Sequence, residues 1–232
     1  MEKIVYLLGD AEPGTVPSNR QDLRDAILEM APALEMAGAT NARCAVAALD
    51  DPRASGFPQM NAYGLIDAVL SLWLASLDDR SEIDRLLRPL CARSAAYLVT
   101  ESVPRDLPAA HPPPGTRLPG VALVSSFPKS PSLSDEQFYS RWHDSHTRLS
   151  LEIHPLLEYV RNSVARQLDA DAPPLRAIVS ESVESVEVAL DPLRFYGGPD
   201  GQRRAVEDLA TFAPLDQMSA VLMSEYILVA DP

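Results

Sequence analysis

The chain has 232 residues, of which 46% are hydrophobic and 23% charged, and its formal net charge is −13. This composition is typical of a globular protein with one large domain or two of about 100 to 115 residues each. The acidic surface repels phosphate backbones and anionic lipid, so we expect no nucleic-acid or membrane partner. The apolar runs are too short for a signal peptide or a membrane span, which predicts a cytoplasmic location.

A proline-rich segment divides the chain into two parts of nearly equal length. The stretch "VPRDLPAAHPPPGTRLPG" (103–120) holds six prolines in eighteen residues. Such a segment cannot form the interior of a helix or a central strand. We therefore predict a first half at 1–106, a linker at 107–118 and a second half at 119–232.

The first half predicts four strands and two helices. In chain order these are a strand at 3–8, a helix opened by a capping box at "SNRQ" (18–21), strands at 42–49 and 64–75, a helix at 81–94 and a strand at 95–102. The first helix is indicated by apolar residues at helical spacing. Pro32 is expected to kink this helix or to end it early.

The second half predicts the same order of elements. A strand at 120–127 precedes the capping box "SDEQ" (134–137), which opens a helix that runs to about Ile153. Strands at 158–168 and 177–190, a helix at 201–213 and a strand at 219–230 follow. On the long strand, Glu181, Glu184 and Glu187 are predicted to form a solvated face.

Both halves therefore predict a β-α-β-β-α-β unit, the ferredoxin-like arrangement. In one such unit both helices cover the same face of the sheet and leave the other face bare. Two units in tandem can bring their bare faces together and form a barrel. The fold class predicted is α+β, with two ferredoxin-like repeats in a dimeric α+β-barrel-type arrangement. A ligand is then expected between the sheets.

One stretch of the second half, "VALVSSFPKSPSLSDEQFYSRWHDSHTRLSLEIHPLLEYVRNSV" (121–164), contains an ordered set of aromatic and polar residues: Phe138, Tyr139, Trp142, His146, Tyr159 and Asn162. In these residues the stretch resembles the EthD-like family of dimeric α+β-barrel proteins. The later "DPLRFYGGPDGQRRAVEDLATFAPL" resembles the family's closing helix, with Glu207, Asp208 and Phe212. The first helix of the first half has neither the Trp nor the His, so any chemical site should be asymmetric.

The resemblance implies a small hydrophobic ligand, aromatic or polyketide-like, in a dry pocket where His and Tyr side chains move protons. It favours a cofactor-independent lyase, dehydratase, isomerase or cyclase, and a catabolic lyase above the others. A homodimer is a further expectation. Two alternatives stay open: a non-catalytic carrier or accessory protein of a degradation pathway, and a haem-binding oxidoreductase.

Helical geometry selects one of the clustered histidines in "SRWHDSH" (140–146). At 100° per residue, His146 lies at about 80° from Phe138, at the edge of the apolar stripe that Trp142 shares. At the same angle per residue, His143 and His154 are predicted to point away from that stripe. His146 is therefore the candidate acid/base, unless its ring only hydrogen-bonds a carbonyl beneath the helix. His143 and His146 could both reach a metal, but no Cys or carboxylate spacing completes a ligand set, and no cofactor is expected.

The remaining candidates lie on strands or beside the helix. Tyr159 is favoured as the second catalytic residue and is expected to face the barrel interior together with Arg161, with Asn162 on the opposite side of the strand. Tyr6 and Tyr226, on the first and last strands, are candidates to line the same cavity. The predicted substrate-binding residues are Tyr6, Phe138, Tyr139, Trp142, Arg161, Asn162 and Tyr226, although the aromatic residues of the helix equally suit a core role.

Overall fold

The computed structural model describes residues 1–10, 20–47, 49–107 and 112–230. The strands are β1 Glu2–Gly9, β2 Thr40–Val46, β3 Met60–Asn61, β4 Ala68–Leu74, β5 Arg93–Arg105, β6 Val121–Phe127, β7 Leu156–Gln167, β8 Ala177–Val183 and β9 Ser219–Val229. The helices are α1 Gln21–Glu29, α2 Ala31–Met36, α3 Ser81–Leu87, α4 Asp135–Tyr139, α5 Thr147–Ile153, α6 Val186–Leu190, α7 Pro192–Tyr196 and α8 Pro199–Ala210. Ser140–His146, between α4 and α5, form a π-helical segment.

Eight of the strands close into an antiparallel barrel. Their order is β2-β4-β1-β5-β7-β8-β6-β9, and β9 pairs again with β2. The first half supplies β1, β2, β4 and β5, and the second half supplies β6 to β9, so the seams between the halves are β5–β7 and β2–β9. The predicted α+β barrel is confirmed, and it closes within one chain. The homodimer remains a prediction.

Alternation along the strands separates three apolar clusters. Inward side chains of both halves form a shared cluster that includes Val5, Leu7, Tyr97, Val124, Ile178, Val221 and Met223. Outward side chains of the first half pack against α1, α2 and α3. Outward side chains of the second half pack against the helices that follow β6 and β8. The helix-facing side of each half-sheet is thus distinct from the barrel interior.

Two local predictions about helices are confirmed. The first helix is interrupted at Met30, and α2 begins at Ala31 with Pro32 in its first turn, where the missing N–H of proline costs no hydrogen bond. The capping box at the start of α4 is complete. Ser134 Oγ accepts from the backbone N–H of Gln137 at 3.2 Å, and Gln137 Oε1 accepts from the N–H of Ser134 at 2.9 Å.

The long strand predicted at 177–190 is wrong. β8 ends at Val183, and α6 begins at Val186 because Ser185 caps it, its Oγ accepting from the N–H of Val188 at 3.3 Å. The alternating apolar residues of this stretch therefore belong to a strand followed by a short helix. The solvated strand face is also wrong, because Glu187 lies on a helix and Glu181 faces the helices.

The end of the predicted linker is held against β9. The N–H of Gly115 donates to the carbonyl of Ile227, and the N–H of Leu118 donates to the carbonyl of Glu225, both at 2.8 Å. Linker residues 108–111 lie outside the described residues, and the domain boundaries at 107–118 remain a prediction. In the part of the chain that the structure describes, no helix is long and apolar enough to cross a membrane.

Candidate active site

An apolar pocket of about 240 Å³ lies between the helix-facing side of the second half-sheet and the helices packed on it. Its walls come from strands β6, β7 and β8, the π-helical segment, α7 and α8. The aromatic lining residues are Phe57, Phe127, Trp142, His146, His154, Tyr159, Phe195 and Tyr196. Small-molecule sites are typically apolar with a few placed polar groups and measure roughly 300–1,000 Å³, so this pocket suits a small ligand.

A segment of the first half covers this pocket. Phe57, Pro58 and Met60 line it from the loop before β3 and from β3 itself, which pairs with the start of β9. Met60 is 40% exposed and Val206 of α8 is 44% exposed, and both also line the pocket. These two side chains mark the apolar rim where the pocket reaches the surface. The site therefore needs both halves of the chain.

His146 is oriented by a carboxylate. Its Nδ1 lies 2.8 Å from Oδ2 of Asp208 on α8, and its ring meets that of Phe212 edge to face at 5.2 Å. A carboxylate accepts, so Nδ1 carries the proton and Nε2 of the neutral ring keeps its lone pair. Nε2 has no hydrogen-bond partner among the described residues. His146 thus lines an apolar pocket with an available basic nitrogen, which is the arrangement a general base requires.

Glycines in the turn before α8 bring Asp208 to this position. Gly197 and Gly198 have φ values of 67° and 116°, a region that side chains disfavour. A Cβ on Gly201 would lie 1.9 Å from the carbonyl oxygen of Tyr196. The absence of a side chain at Gly201 therefore allows α8 to pack directly against the end of α7.

The π-helical segment corrects the angles assumed for the histidines. In a π-helix each N–H bonds five residues back, so the turn is wider than in an α-helix. His143 consequently packs on Trp142, with ring centroids 4.6 Å apart, and its Nε2 lies 3.4 Å from Oγ of Ser163 on β7. His143 therefore lies half-buried against the sheet rather than pointing away. Burial, followed by the charge of Arg161, lowers the pKa of His143 to about 4.

His154 was expected to point away, and this is wrong. The helix ends at Ile153 because the residue before a proline, here Pro155, avoids the α region. Beyond that point helical angles no longer apply. His154 lines the pocket, stacks on Phe195 with centroids 4.4 Å apart, and donates from Nδ1 to the carbonyl of Phe195 at 2.9 Å. Its Nε2 is therefore also the basic nitrogen of the neutral ring.

Tyr159 and Glu181 are neighbours on adjacent strands and both line the pocket. Burial, and then the carboxylate of Glu181, raise the pKa of Tyr159, so its hydroxyl stays protonated at neutral pH and can donate. Oε1 of Glu181 is buried and has no hydrogen-bond partner among the described residues. The acidic residues at positions 181, 184 and 187 were a signal for Glu181, but they were interpreted as a solvated strand face.

Tyr159 and Arg161 face the helices, so the expected inward orientation of this pair is wrong. Tyr159 packs in the helix-side cluster with Trp142, and Arg161 donates to Oγ1 of Thr147 at 2.7 Å and to Oγ of Ser102 at 3.1 Å. Asn162, together with Glu158 and Val160 of the same strand, lines the barrel interior. Tyr159 and Asn162 do lie on opposite faces of the strand, as predicted. However, Asn162 faces the barrel interior and Tyr159 faces the helices, which is the reverse of the expected assignment.

Of the other predicted ligand contacts, Trp142 lines the pocket and Phe138 packs behind it at 5.6 Å. Tyr139 does not line the pocket, and its hydroxyl accepts from Arg176 at 3.3 Å. Tyr6 and Tyr226 belong to the core beneath the helices of the first half, where the Tyr6 hydroxyl donates to Asp84 at 2.9 Å. The prediction that these two tyrosines line a shared cavity is therefore wrong.

Among the described residues, no group of three His, Cys, Asp or Glu side chains is placed to hold a metal ion. His143 and His146 lie against different partners, Ser163 and Asp208. The structure therefore separates the one pair of histidines that the sequence brings together.

The closed barrel with its outer helices defines an α+β-barrel protein of the ferredoxin-like type. Two solved structures share this fold. One is an anthrone oxidase-like protein, with a TM-score of 0.60 and 10% identity over 98% of this chain and 93% of that chain. The other is a candidate monooxygenase from Fusobacterium nucleatum, with a TM-score of 0.53 and 9% identity over 99% of this chain and 93% of that chain. No family model and no curated protein matches the sequence. Membership of the EthD-like family thus remains a prediction.

Proposed function

We propose that this protein is an enzyme that removes a proton from a small aromatic or otherwise hydrophobic molecule, with His146 as the general base. The observation that carries the proposal is the hydrogen bond of 2.8 Å between His146 and Asp208 at the wall of an apolar pocket. It fixes one ring nitrogen and leaves the other to accept a proton from a bound ligand.

The chemistry that suits these groups is enolisation of an aromatic ketone. A C–H bond that is next to the carbonyl, or conjugated with it through the aromatic rings of the ketone, breaks, its proton passes to Nε2 of His146, and the electron pair moves onto the carbonyl oxygen. Tyr159, which keeps its phenolic proton, is the donor available to stabilise that oxygen. A ligand that fills this apolar pocket would displace water from its wall, which strengthens both interactions.

This step is common to the lyase, isomerase, dehydratase and cyclase reactions that the sequence suggests, and we favour a catabolic lyase or isomerase. It requires no cofactor. The name of the anthrone oxidase-like neighbour guides the choice of probe, since anthrone is a three-ring ketone with an acidic C–H bond. A two-ring ketone such as 2-tetralone matches the small volume of the pocket more closely.

The test is deuterium exchange at the acidic carbon of 2-tetralone and of anthrone, followed by NMR in D₂O without oxygen. Wild-type protein should accelerate the exchange, and His146→Gln should reduce the enzymatic rate by about 10²- to 10⁴-fold, the usual contribution of a positioned base. The matched control is His143→Gln, because His143 lies on the same segment but does not line the pocket. Its rate should stay within about twofold of wild type.

Other outcomes identify the alternatives. Equal exchange by wild type and His146→Gln contradicts the proposal. Saturable binding of both ketones without any accelerated exchange supports a carrier. A Soret absorption band in the purified protein supports the haem-binding alternative.

A further inference from the structure

A second cavity, of about 350 Å³, lies inside the barrel, at the end where β1 begins and β5 ends. The half-sheet of β6 to β9 separates it from the pocket that holds His146. Its deeper wall is apolar and includes Val5, Val69, Val124 and Ile178. The lining also includes charged side chains, which are unusual for the interior of a barrel.

Two ion pairs account for four of those charges. Arg43 Nη1 donates to both carboxylate oxygens of Glu158, at 2.9 and 3.1 Å. Lys3 pairs with Glu101 from β5. Because Lys3 and Arg43 are each paired with a carboxylate, these four charges are already neutralised and do not require a ligand.

Of the two further acids in this lining, Asp106 is exposed and Glu225 lies inside the barrel. Its carboxylate accepts from the hydroxyls of Ser180 and Ser182, at 3.0 and 2.9 Å, and forms no ion pair with any described residue. Protein surrounds the side chain, and this desolvation, followed by the charge of Glu158, raises its pKa. Glu225 nevertheless keeps some accessible surface. Because protein encloses the side chain on its other sides, this accessible surface faces the cavity.

Asn162 supplies an unsatisfied acceptor close by. The residue is 6% exposed and lines the cavity, and its Oδ1 is buried with no hydrogen-bond partner among the described residues. It pairs with Ile178 on β8, two residues from the Ser180 that binds Glu225. Diagonal neighbours of this kind on one face of a sheet are about 7–8 Å apart, so Asn162 lies on the same face as the serine that binds Glu225, and both residues line the cavity.

The charge of the lining selects the ligand. Among the described residues, Glu101, Asp106, Glu158 and Glu225 line the cavity against two bases, Lys3 and Arg43. This excess of acids disfavours carboxylates and phosphates and favours a cation. The Glu225 carboxylate, which has no ion-pair partner among the described residues, and the amide oxygen of Asn162 are both acceptors, and a primary ammonium offers three N–H donors.

We propose that the barrel interior is a second binding site, for a small aliphatic primary amine whose ammonium group is held by Glu225 and Asn162. The alkyl chain of the amine contacts the apolar wall around Val5 and Val69. This site is independent of the reaction proposed for His146, because a sheet lies between the two cavities.

The two tryptophans of the chain allow each cavity to be observed separately. Trp73 lines the barrel cavity and Trp142 lines the pocket of His146. In Trp142→Phe protein, titration with n-butylammonium should change the fluorescence of Trp73 in a saturable manner. Sodium pentanoate and 1-butanol, which have the same butyl chain without the ammonium group, should give no saturable change. Calorimetry on the wild-type protein repeats the measurement in case Trp142→Phe disturbs the fold.

Glu225→Gln should weaken n-butylammonium binding at least about tenfold, because it removes the charge and keeps the shape. The matched control is Glu184→Gln, which removes an exposed charge beyond the end of β8 and should leave the affinity unchanged. His146→Gln should also bind the amine normally, so failure of the proposed enzyme activity would leave this result intact.

Absence of saturable binding up to ~50 mM by both methods overturns the proposal, since even weak single-site ligands saturate in the millimolar range. In that case the cavity holds water only. Equal binding of 1-butanol also overturns it, because the site would then recognise the chain and not the ammonium group.

Discussion

Nδ1 of His146 and Oδ2 of Asp208 lie 2.8 Å apart and connect the π-helical segment to α8 across 62 positions of the chain. The contact determines which ring nitrogen is protonated and in which direction the other one points. Because the two residues belong to different elements, the packing of α8 against α7 sets the orientation of the imidazole. Asp208 is therefore a positioning residue for the proposed base.

Asp208→Asn should lower the rate of deuterium exchange between about 10- and 10⁴-fold. Its amide group favours the opposite ring tautomer, which places the proton on the nitrogen that should accept. Binding of the ketone, measured through the fluorescence of Trp142, should be unchanged because the pocket wall is intact. A merely structural role of Asp208 would instead weaken binding and lower the melting temperature.

The control for this variant is Glu207→Gln. Glu207 is the preceding residue of α8, is exposed, and pairs with Arg203 at 2.8 Å. The Glu207→Gln substitution removes one negative charge from the same helix as Asp208→Asn but leaves the contacts of His146 unchanged. An equal loss of rate in both variants would show that the charge of α8 matters and that the hydrogen bond to His146 does not.

Tyr159→Phe should lower the turnover of the saturated enzyme by up to about tenfold. The phenol remains protonated at neutral pH because burial and Glu181 raise its pKa, so the hydroxyl acts as a donor to the developing oxyanion, and a single net hydrogen bond is worth about 0.5–1.5 kcal/mol. Tyr139→Phe is the matched control, since Tyr139 lies outside the pocket lining. Unchanged turnover in Tyr159→Phe would remove the hydroxyl from the mechanism.

The fold was largely predictable because its signals are local. Apolar alternation located most strands, and the Ser134 capping box and Pro32 located a helix start and a helix break. The closure of the barrel was not predictable from such signals. Closure depends on the pairing of β2 with β9. The apolar pattern of a strand indicates which of its residues are buried, but it does not indicate which other strand pairs with it.

The site was predictable only in part, for the same physical reason. The spacing from Trp142 identified His146, but the faces of β1 and β9 could not be assigned, since both sides of these strands are buried. Tyr6 and Tyr226 were therefore placed in the wrong layer. His154 was missed because the helix ends before Pro155, and His143 was misplaced because the segment is π-helical.

Lowering the pH should destabilise the fold in part through His143. Its folded pKa of about 4 lies below the ordinary value of 6.5, so between these values the unfolded chain binds a proton that the folded chain does not. Stability is therefore lost as the pH falls from about 6.5 towards 4. Denaturant unfolding of His143→Gln should show a smaller loss over this range than wild type. NMR should show the His143 ring still neutral at pH 5, and a midpoint near 6.5 would contradict the prediction.

Glu225 should have the opposite effect to His143 and should destabilise the fold as the pH rises. Burial and Glu158 raise its folded pKa above the ordinary 4.5, so the folded chain keeps a proton that the unfolded chain releases. Wild-type stability should therefore fall as the pH rises from about 4.5 through the folded pKa. The groups that face this carboxylate are Ser180, Ser182, Glu158 and Arg43.

Glu225→Gln removes this titration while keeping the hydrogen-bonding shape, so its melting temperature relative to wild type should increase steadily from pH 4.5 upward. Each pKa unit corresponds to about 1.4 kcal/mol, or roughly 3–6 °C for a chain of this size. Glu184→Gln, which changes an exposed carboxylate, should show no such trend. A difference between Glu225→Gln and wild type that stays constant with pH would mean that Glu225 is ionised as readily in the folded chain as in the unfolded one, and that the barrel cavity does not disfavour its charge.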